Sequence, residues 1–349
     1  MNVSRISVLY IPVLLVLALA CKSVTPEKSV DIRVAFYNVE NLFDTEDDAQ
    51  KSDEDFTPEG RLEWTAERYN AKLNKLAQVI DSLGAKGNGP DILGVCEVEN
   101  SRVLNDLIQT NQLLDNKYAI EHAESPDERG IDVALLYKPA LFMPFNSRLY
   151  PVQIKEEADF ITRSILLVQG KVGRDTLHVL VNHWPSKRGG DEASRYKRVR
   201  AAEVLADIRD SLISINSEAK ILAMGDFNDE PESVPLSKTL PSYSTTDSLN
   251  INAKAFYNPM WSVKIEGKGS YRYRDQWNML DNFLLSKGLV YNQMGLGYLP
   301  GSAQVFNPYW LQQHGGRYEG YPNRTYAGNN YLAGYSDHFP IYLDLSMKL

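Results

Sequence analysis

KILAMGDFN, residues 220–228, is an apolar run that stops abruptly on an acid and an amide. Four apolar residues in succession, Ile221 to Met224, are what a short strand covered on both faces requires. Asp226 and Asn228 then follow. A carboxylate left unpaired in the middle of such a strand would cost too much in lost hydration. At the strand's end it can face a loop or cleft while the sheet holds it still.

The same arrangement recurs along the chain. DIRVAFYN (31–38) alternates through Ile32, Val34 and Phe36 and ends on Asn38; DILGVCEVEN (91–100) ends on Glu97 and Glu99. DTLHVLVNHW (175–184) ends on His183, and IDVALLYKP (131–139) is a further strand. MLDNFLLS (279–286) starts a strand at Asp281. GYSDHFPIYLDL (334–345) sets Asp337 and His338 before an alternating strand through Phe339, Ile341, Leu343 and Leu345. Tyr69, Leu73, Leu76, Ile80 and Leu83 fall at helical spacing with Gly84 as the stop, and a second helix is expected from Ser194 to Ile213. Strands and helices alternate early and strands dominate later, so one large α/β domain is expected over residues 31–349.

The chain has 349 residues, 43% of them hydrophobic, which is globular composition. Its formal net charge of −8 excludes a protein that binds nucleic acid by overall basic charge alone. A phosphate-bearing substrate would need a metal ion or a local basic patch. Arg5 and the apolar run ISVLYIPVLLVLALAC (6–21) form an export signal. Ala18 and Ala20 before Cys21 fit a lipoprotein signal over residues 1–20, with Cys21 lipidated and 21–30 as a tether. Leu19 departs from that pattern, which leaves a plainly cleaved signal and an uncleaved anchor open. The expected location is therefore outside the cytoplasm: membrane-anchored, periplasmic or at the cell surface, otherwise secreted. With Cys21 lipidated only Cys96 remains, so no internal disulfide forms and Cys96 is expected in the core.

Carboxylates gathered with asparagine amides make a hard oxygen site suited to Mg2+ or Mn2+. Zinc would ask for histidine and cysteine clusters that this chain lacks. Two histidines without a serine nucleophile motif suit proton transfer and charge stabilisation as water attacks. Together these groups suit phosphoester hydrolysis.

Six segments then resemble, in order, the signatures of the endonuclease/exonuclease/phosphatase (DNase I-like) superfamily. They are FYNVENLF (36–43), ILGVCEVEN (92–100), VNHWPSKRGG (181–190), MGDFND (224–229), LDNFLLS (280–286) and YSDH (335–338). FYNVENLFD and NHWPSKRGG look most like its secreted bacterial nuclease branch. The resemblance implies a four-layered α/β sandwich, two β-sheets face to face with helices outside. It implies Asn38, Glu97 and Asp337 at a metal, with Asp226 and Asn228 orienting water and the scissile phosphate. His183 would contact the phosphate, and His338, oriented by Asp281, would be the second imidazole. The proton acceptor stays divided between His338 and Asp226. Cys96 stands where the family commonly has glutamine before the glutamate. Asp132 is the candidate to orient His183.

Substrate contacts are expected from two stretches. Arg195 and Arg198, three apart in the basic segment 185–208, could share a helix face toward phosphate; the alternative is a solvated helix with paired charges. Arg272, Tyr273, Arg274 and Trp277 interleave cations and aromatics just before Asp281, which suits stacking and phosphate contact; alternate aromatics packing into a core is the other reading. His122, His178 and His314 are expected to be structural. The acidic loop 44–60 is expected to be solvated, since it lacks the order of a calcium-binding loop. Segment 301–334 carries no periodicity and is expected to be a long loop, with Arg317, Arg324 and Tyr326 as possible groove residues.

The leading functional expectation is an exported, Mg2+-dependent (endo)nuclease with nucleic acid as substrate and a membrane reached through the lipid anchor. The alternatives are a phosphatase or sphingomyelinase-like phospholipase C of the same superfamily, and a catalytically inactive binding module. Nothing in the sequence indicates an obligate protein partner.

Overall fold

The computed structural model describes residues 29–84, 87–155, 157, 159–291 and 295–348. The expected signal segment and Cys21 lie outside the described residues. The strands expected from the apolar runs all form, and they divide between two seven-stranded sheets.

In chain order the strands of the first sheet are β1 (Ser29–Leu42), β2 (Ile92–Val98), β3 (Ala119–His122) and β4 (Asp132–Tyr137). The second sheet begins with β5 (Met143–Tyr150), β6 (Ile165–Val172), β7 (Asp175–His183) and β8 (Lys220–Asp226). It is completed by β9 (Ser242–Tyr243), β10 (Phe256–Tyr257) and, after the hairpin β11 (Tyr271–Tyr273) and β12 (Gln276–Asn278), by β13 (Asp281–Leu285). The chain returns to the first sheet through β14 (Leu296–Tyr298) and β15 (Gln304–Val305), makes the small hairpin β16 (Tyr326–Ala327) and β17 (Asn330–Tyr331), and ends in β18 (Ile341–Lys348). The spatial orders are β14-β18-β1-β2-β4-β3, with β15 on β18, and β5-β6-β7-β8-β13-β10-β9.

β1, β2 and β4 lie across from β8, β7 and β6. Period-two alternation sorts β8 between two cores. Leu222 and Met224 join the core between the sheets, while Ile221 and Ala223 face the outer helix α3 (Asp191–Ile215). Gly94 on β2 lies where the sheets approach closely: a Cβ there would come within 2.8 Å of the Met224 methyl and 3.1 Å of the Phe36 ring.

The outer face of the first sheet is covered by α1 (Ala66–Leu83) and α2 (Ser101–Ile108). Leu73, Leu76, Ile80 and Leu83 on α1 are buried as their spacing requires. Thr65 caps α1 by accepting from the Arg68 amide, and Asn100 caps α2 by accepting from the amides of Arg102 and Val103. Helix, sheet, sheet, helix is the four-layered α/β sandwich expected. α3 starts earlier than its apolar spacing indicated, because Asp191 and Glu192 extend its first turn, where acids complement the helix dipole. No helix of the described residues is long and apolar enough to cross a membrane.

Three other expectations meet mixed outcomes. Cys96 is fully buried. The acidic loop is not simply solvated, since Asp44 and Asp53 are buried within it. Segment 301–334 is not one long loop; it contains β15, a 3-10 turn at Tyr309–Leu311 and the β16–β17 hairpin.

Candidate active site

Parallel pairing carries the strand ends into one place. β7 and β8 run parallel with His183 opposite Asp226, and antiparallel β13 sets Asp281 on the other side of Asp226. His183, Asp226 and Asp281 therefore stand in one row at the edge of the second sheet. On the first sheet β1 and β2 also run parallel, pairing Asn38 with Cys96 before the register slips. Glu97 sits at that slip with a left-handed backbone, φ 63°. The segment leading into β18 brings in Asp337 and His338, and the His338 ring lies 4.9 Å from the Tyr271 ring. A cleft of about 740 Å³ opens onto Glu97, His183, Asp226, Asn228, Asp337 and His338.

Hydrogen bonds fix each group. His338 Nδ1 is 2.7 Å from Asp281 Oδ2, and His338 Nε2 lies 3.8 Å from Asp226 Oδ2. His183 Nε2 is 3.8 Å from both Asp226 Oδ2 and Glu97 Oε1, while its buried Nδ1 has no hydrogen-bond partner among the described residues. The Asn38 amide donates to Glu97 at 3.2 Å and to Asp226 at 3.1 Å, and its own oxygen accepts from the Glu40 amide. Asn38 thus holds two carboxylates side by side. The Asn228 amide nitrogen donates to the Trp184 carbonyl (2.9 Å), and the Asn228 backbone N–H donates to Asp226.

Electrostatics separate these groups sharply. Burial and the nearby Arg163 guanidinium hold His183 well below the ordinary histidine range, so its ring is neutral. Burial opposes charge on His338 too, but the attraction of Asp281, its hydrogen bond and the Asp226 charge outweigh that and raise it well above the ordinary range. Burial pushes the Asp226 carboxyl up to about 7, against the pull of His338 and with added repulsion from Asp281 and Glu97.

This crowding tests whether a divalent cation fits. Glu97, Asp226 and Asp337 open on the same cleft, a gathering of hard oxygen donors that suits a divalent cation. Asp226, Asp281 and His338 also offer ligand atoms within 4.8 Å of one another. Two of those atoms are already bonded to each other at 2.7 Å, so that trio is wired for holding a proton. Glu97 and Asp337, which line the same cleft, supply hard oxygen donors for a cation.

Several expected contacts fall elsewhere. Arg198 is not at the cleft. It is fully buried, bonded to Asp229 at 2.8 Å and to Asp191 at 2.6 Å, where it locks α3 to the loop after β8. Arg195 pairs with Asp191 on the helix surface. The cleft-facing positions on this helix are Ser194 and Lys197. Asp132 does not orient His183: its carboxylate is 3.2 Å from His122 Nε2 and accepts from the Ser125 amide. In the β11–β12 hairpin Tyr273 lines the cleft, whereas the Arg272 guanidinium lies over Trp277 and Tyr321, and Arg274 lies over Tyr273. Trp277 packs on Phe339.

The cleft also contains Lys187 and Tyr271, from the basic and aromatic–cation stretches in which substrate contacts are expected, and two arginines from outside them. Arg163 is buried beside His183, bonded to Asp127 at 3.2 Å and to the Trp184 carbonyl at 2.8 Å. Arg129 and Tyr271 line the cleft as well. Lys187 is four residues past His183 and Tyr271 opens the aromatic–cation stretch, so local patterns point to them. Arg163, in the segment leading into β6 and twenty residues before His183, carries no such signal.

A model of the endonuclease/exonuclease/phosphatase family matches residues 33–347. None of the curated protein sequences matches this chain. Among solved structures, truncated TDP2 from Caenorhabditis elegans is 14% identical with a TM-score of 0.54, covering 91% of this chain and 98% of that one. TDP2 from D. rerio, complexed with a single-strand DNA product, is 12% identical with a TM-score of 0.53, covering 90% of this chain and 98% of that one. An endonuclease/exonuclease/phosphatase family protein from Bacteroides thetaiotaomicron is 14% identical with a TM-score of 0.53, covering 93% and 97%. These likenesses concern the fold, and the family pattern runs through nearly all of it: the chain belongs to the endonuclease/exonuclease/phosphatase family, hydrolases of phosphoester bonds.

Proposed function

We propose that this protein is a Mg2+-dependent phosphodiesterase that hydrolyses nucleic acid, exported and anchored through a lipid on Cys21. The observation that carries the chemistry is geometric: Asp226 Oδ2 stands 3.8 Å from the Nε2 of both His338 and His183, with Asp281 bonded behind His338. A base must be able to take a proton at working pH, and a carboxyl raised to about 7 can. His338 already holds its proton, so Asp226 is the better acceptor from water. His338, fixed by Asp281, places positive charge beside the phosphoryl oxygens. His183 contacts a phosphoryl oxygen as a neutral ring. The Asn228 nitrogen is engaged with Trp184, which leaves its oxygen to align the water. Glu97 and Asp337, with Asn38 as their neighbour, would hold the metal, which supplies charge stabilisation when bound.

Nucleic acid is favoured over lipid by the walls of the cleft. Lys187, Arg188 and Lys197 stand on one side with Tyr271 and Tyr273 on another, cations for phosphates and rings for stacking. Purified protein should degrade plasmid DNA or RNA with Mg2+ and lose that activity in EDTA. Intact nucleic acid alongside cleaved sphingomyelin or phosphoinositide would overturn the nuclease reading in favour of a lipid phosphodiesterase or phosphatase. No metal-dependent turnover of any of these, and no change on His183→Ala, would favour a binding module. Anchoring is supported by the apolar run before Cys21; Cys21→Ser should release the protein from the membrane fraction, and unchanged retention would sink the lipid assignment.

A further inference from the structure

A second cavity, about 340 Å³, lies beside the catalytic cleft and shares Arg129 with it. Its floor is aromatic. Phe43 and Phe56 stack at 4.2 Å, Phe56 meets the Trp64 edge at 6.2 Å, and Trp64 lies 6.0 Å from Tyr326. Phe43 and Trp64 are buried foundations; Phe56 and Tyr326 keep part of their surface open. Polar side chains surround this floor: Asn41, Arg61, Arg129 and Arg324.

The cavity is wired to the metal side of the cleft. The Asn41 backbone N–H donates to Glu97 Oε2 at 3.0 Å, and Arg324 donates to Asp337 Oδ2 at 2.7 Å. Glu40 and Asn41 are consecutive left-handed residues, φ 52° and 53°, a conformation that costs non-glycine residues free energy and persists only when neighbours hold it. The neighbours are present. Asn38 accepts from the Glu40 amide, Glu97 from the Asn41 amide, and the Glu40 carboxylate from the Thr325 and Tyr326 amides. One strained kink therefore joins the metal-side carboxylates to the wall of the second cavity.

We propose that this cavity is a nucleobase subsite, taking the base of a nucleotide adjacent to the scissile phosphodiester. The base stacks against Phe56 and Tyr326, and the Asn41 side-chain amide meets its polar edge. Arg129, common to both spaces, faces the phosphate between them. A planar heterocycle matches an aromatic floor inside a polar rim. An acyl chain would cover the Asn41 amide without pairing it, which is costly. This subsite rests on the nucleic-acid reading and adds where along the strand a base is gripped.

The test steps a single abasic residue through a short single-stranded oligonucleotide, using full-length protein and Mg2+. In the wild type, one position next to the cleaved bond should raise KM about tenfold, within the range for losing one stacked base. With Phe56→Leu, which keeps bulk but removes the ring, that position should matter less than twofold, while hydrolysis of methyl p-nitrophenyl phosphate is unchanged. A second measurement needs no variant: 5-iodouridine at the same position should crosslink to Phe56 or Tyr326. Equal abasic penalties in wild type and Phe56→Leu, or crosslinks mapping to other residues, would overturn the subsite and leave the nuclease reading standing. An oligonucleotide that wild type does not cleave at any position would remove both.

Discussion

The two imidazoles of the cleft make an instructive pair. Each holds its Nε2 3.8 Å from the same oxygen, Asp226 Oδ2, and each is buried. His338 has Asp281 at its back and is driven toward the cation; His183 has no hydrogen-bond partner on Nδ1 among the described residues, has Arg163 nearby, and is driven toward the neutral form. Residue type and distance to the shared carboxylate are the same. What differs is the far side of each ring, and that is enough to give one cleft a fixed positive charge and a neutral hydrogen-bonding group.

The largest expected effect lies on the His338 side. His338→Ala should lower kcat by about a thousandfold or more, Asp281→Asn should lower it comparably, and the double variant should be little worse than either, as for groups that act as a unit. His183→Ala should cost less, about a hundredfold. Additive losses for His338 and Asp281, measured by steady-state kinetics, would break the comparison at its base.

Metal binding sharpens it next. Mg2+ at about a hundred times its Kd should stabilise the wild type by roughly 2.7 kcal/mol in thermal unfolding. Glu97→Gln and Asp337→Asn should each abolish that gain, whereas His338→Ala should keep it. If the gain survives loss of Glu97 and disappears with His338, the cation sits on the imidazole side and the two halves of the cleft have been exchanged.

The smallest effect is in stability against pH, measured in EDTA. His183 has a folded pKa below its unfolded value of about 6.5, so its contribution is present above that value and is lost as pH falls. His338 has a folded pKa above its unfolded value, so its contribution is complete below about 6.5 and is lost as pH rises through the folded value. His183→Asn should flatten the acid side of the urea-unfolding profile and His338→Asn the alkaline side. The same sign of change in both variants would show that their surroundings do not differ as described.

Much of this arrangement is legible in the sequence because strand periodicity has a short reach. KILAMGD shows by itself that its acid lies at a strand end, and so do the runs ending on Asn38, Glu97 and His183. The structure then brings those residues, with Asp281, Asp337 and His338, to one cleft. Helical phase is less forgiving. Lys197 and Arg198 are neighbours in sequence, yet a turn of about 100° per residue puts one on the cleft and the other under the helix, sealed by Asp229 and Asp191. Arg195 shows that three-residue spacing does not name the face that meets the cleft. Asp132 failed as a partner for His183 because pairing of β3 with β4 delivers His122 to it instead.

The sequence alone determined the alternation of elements, the two-sheet sandwich through the family signatures, and which acids, amides and imidazoles stand at strand ends. These follow from local periodicity and from the cost of burying charge, both written in neighbouring residues. Only the tertiary structure decided that Asp226 stands between two imidazoles of opposite character, that Arg163 reaches His183 from the segment before β6, and that a second, aromatic cavity adjoins the cleft. Those are distances between residues far apart in the chain, and a charge's environment is set by whatever the fold brings within a few ångströms of it.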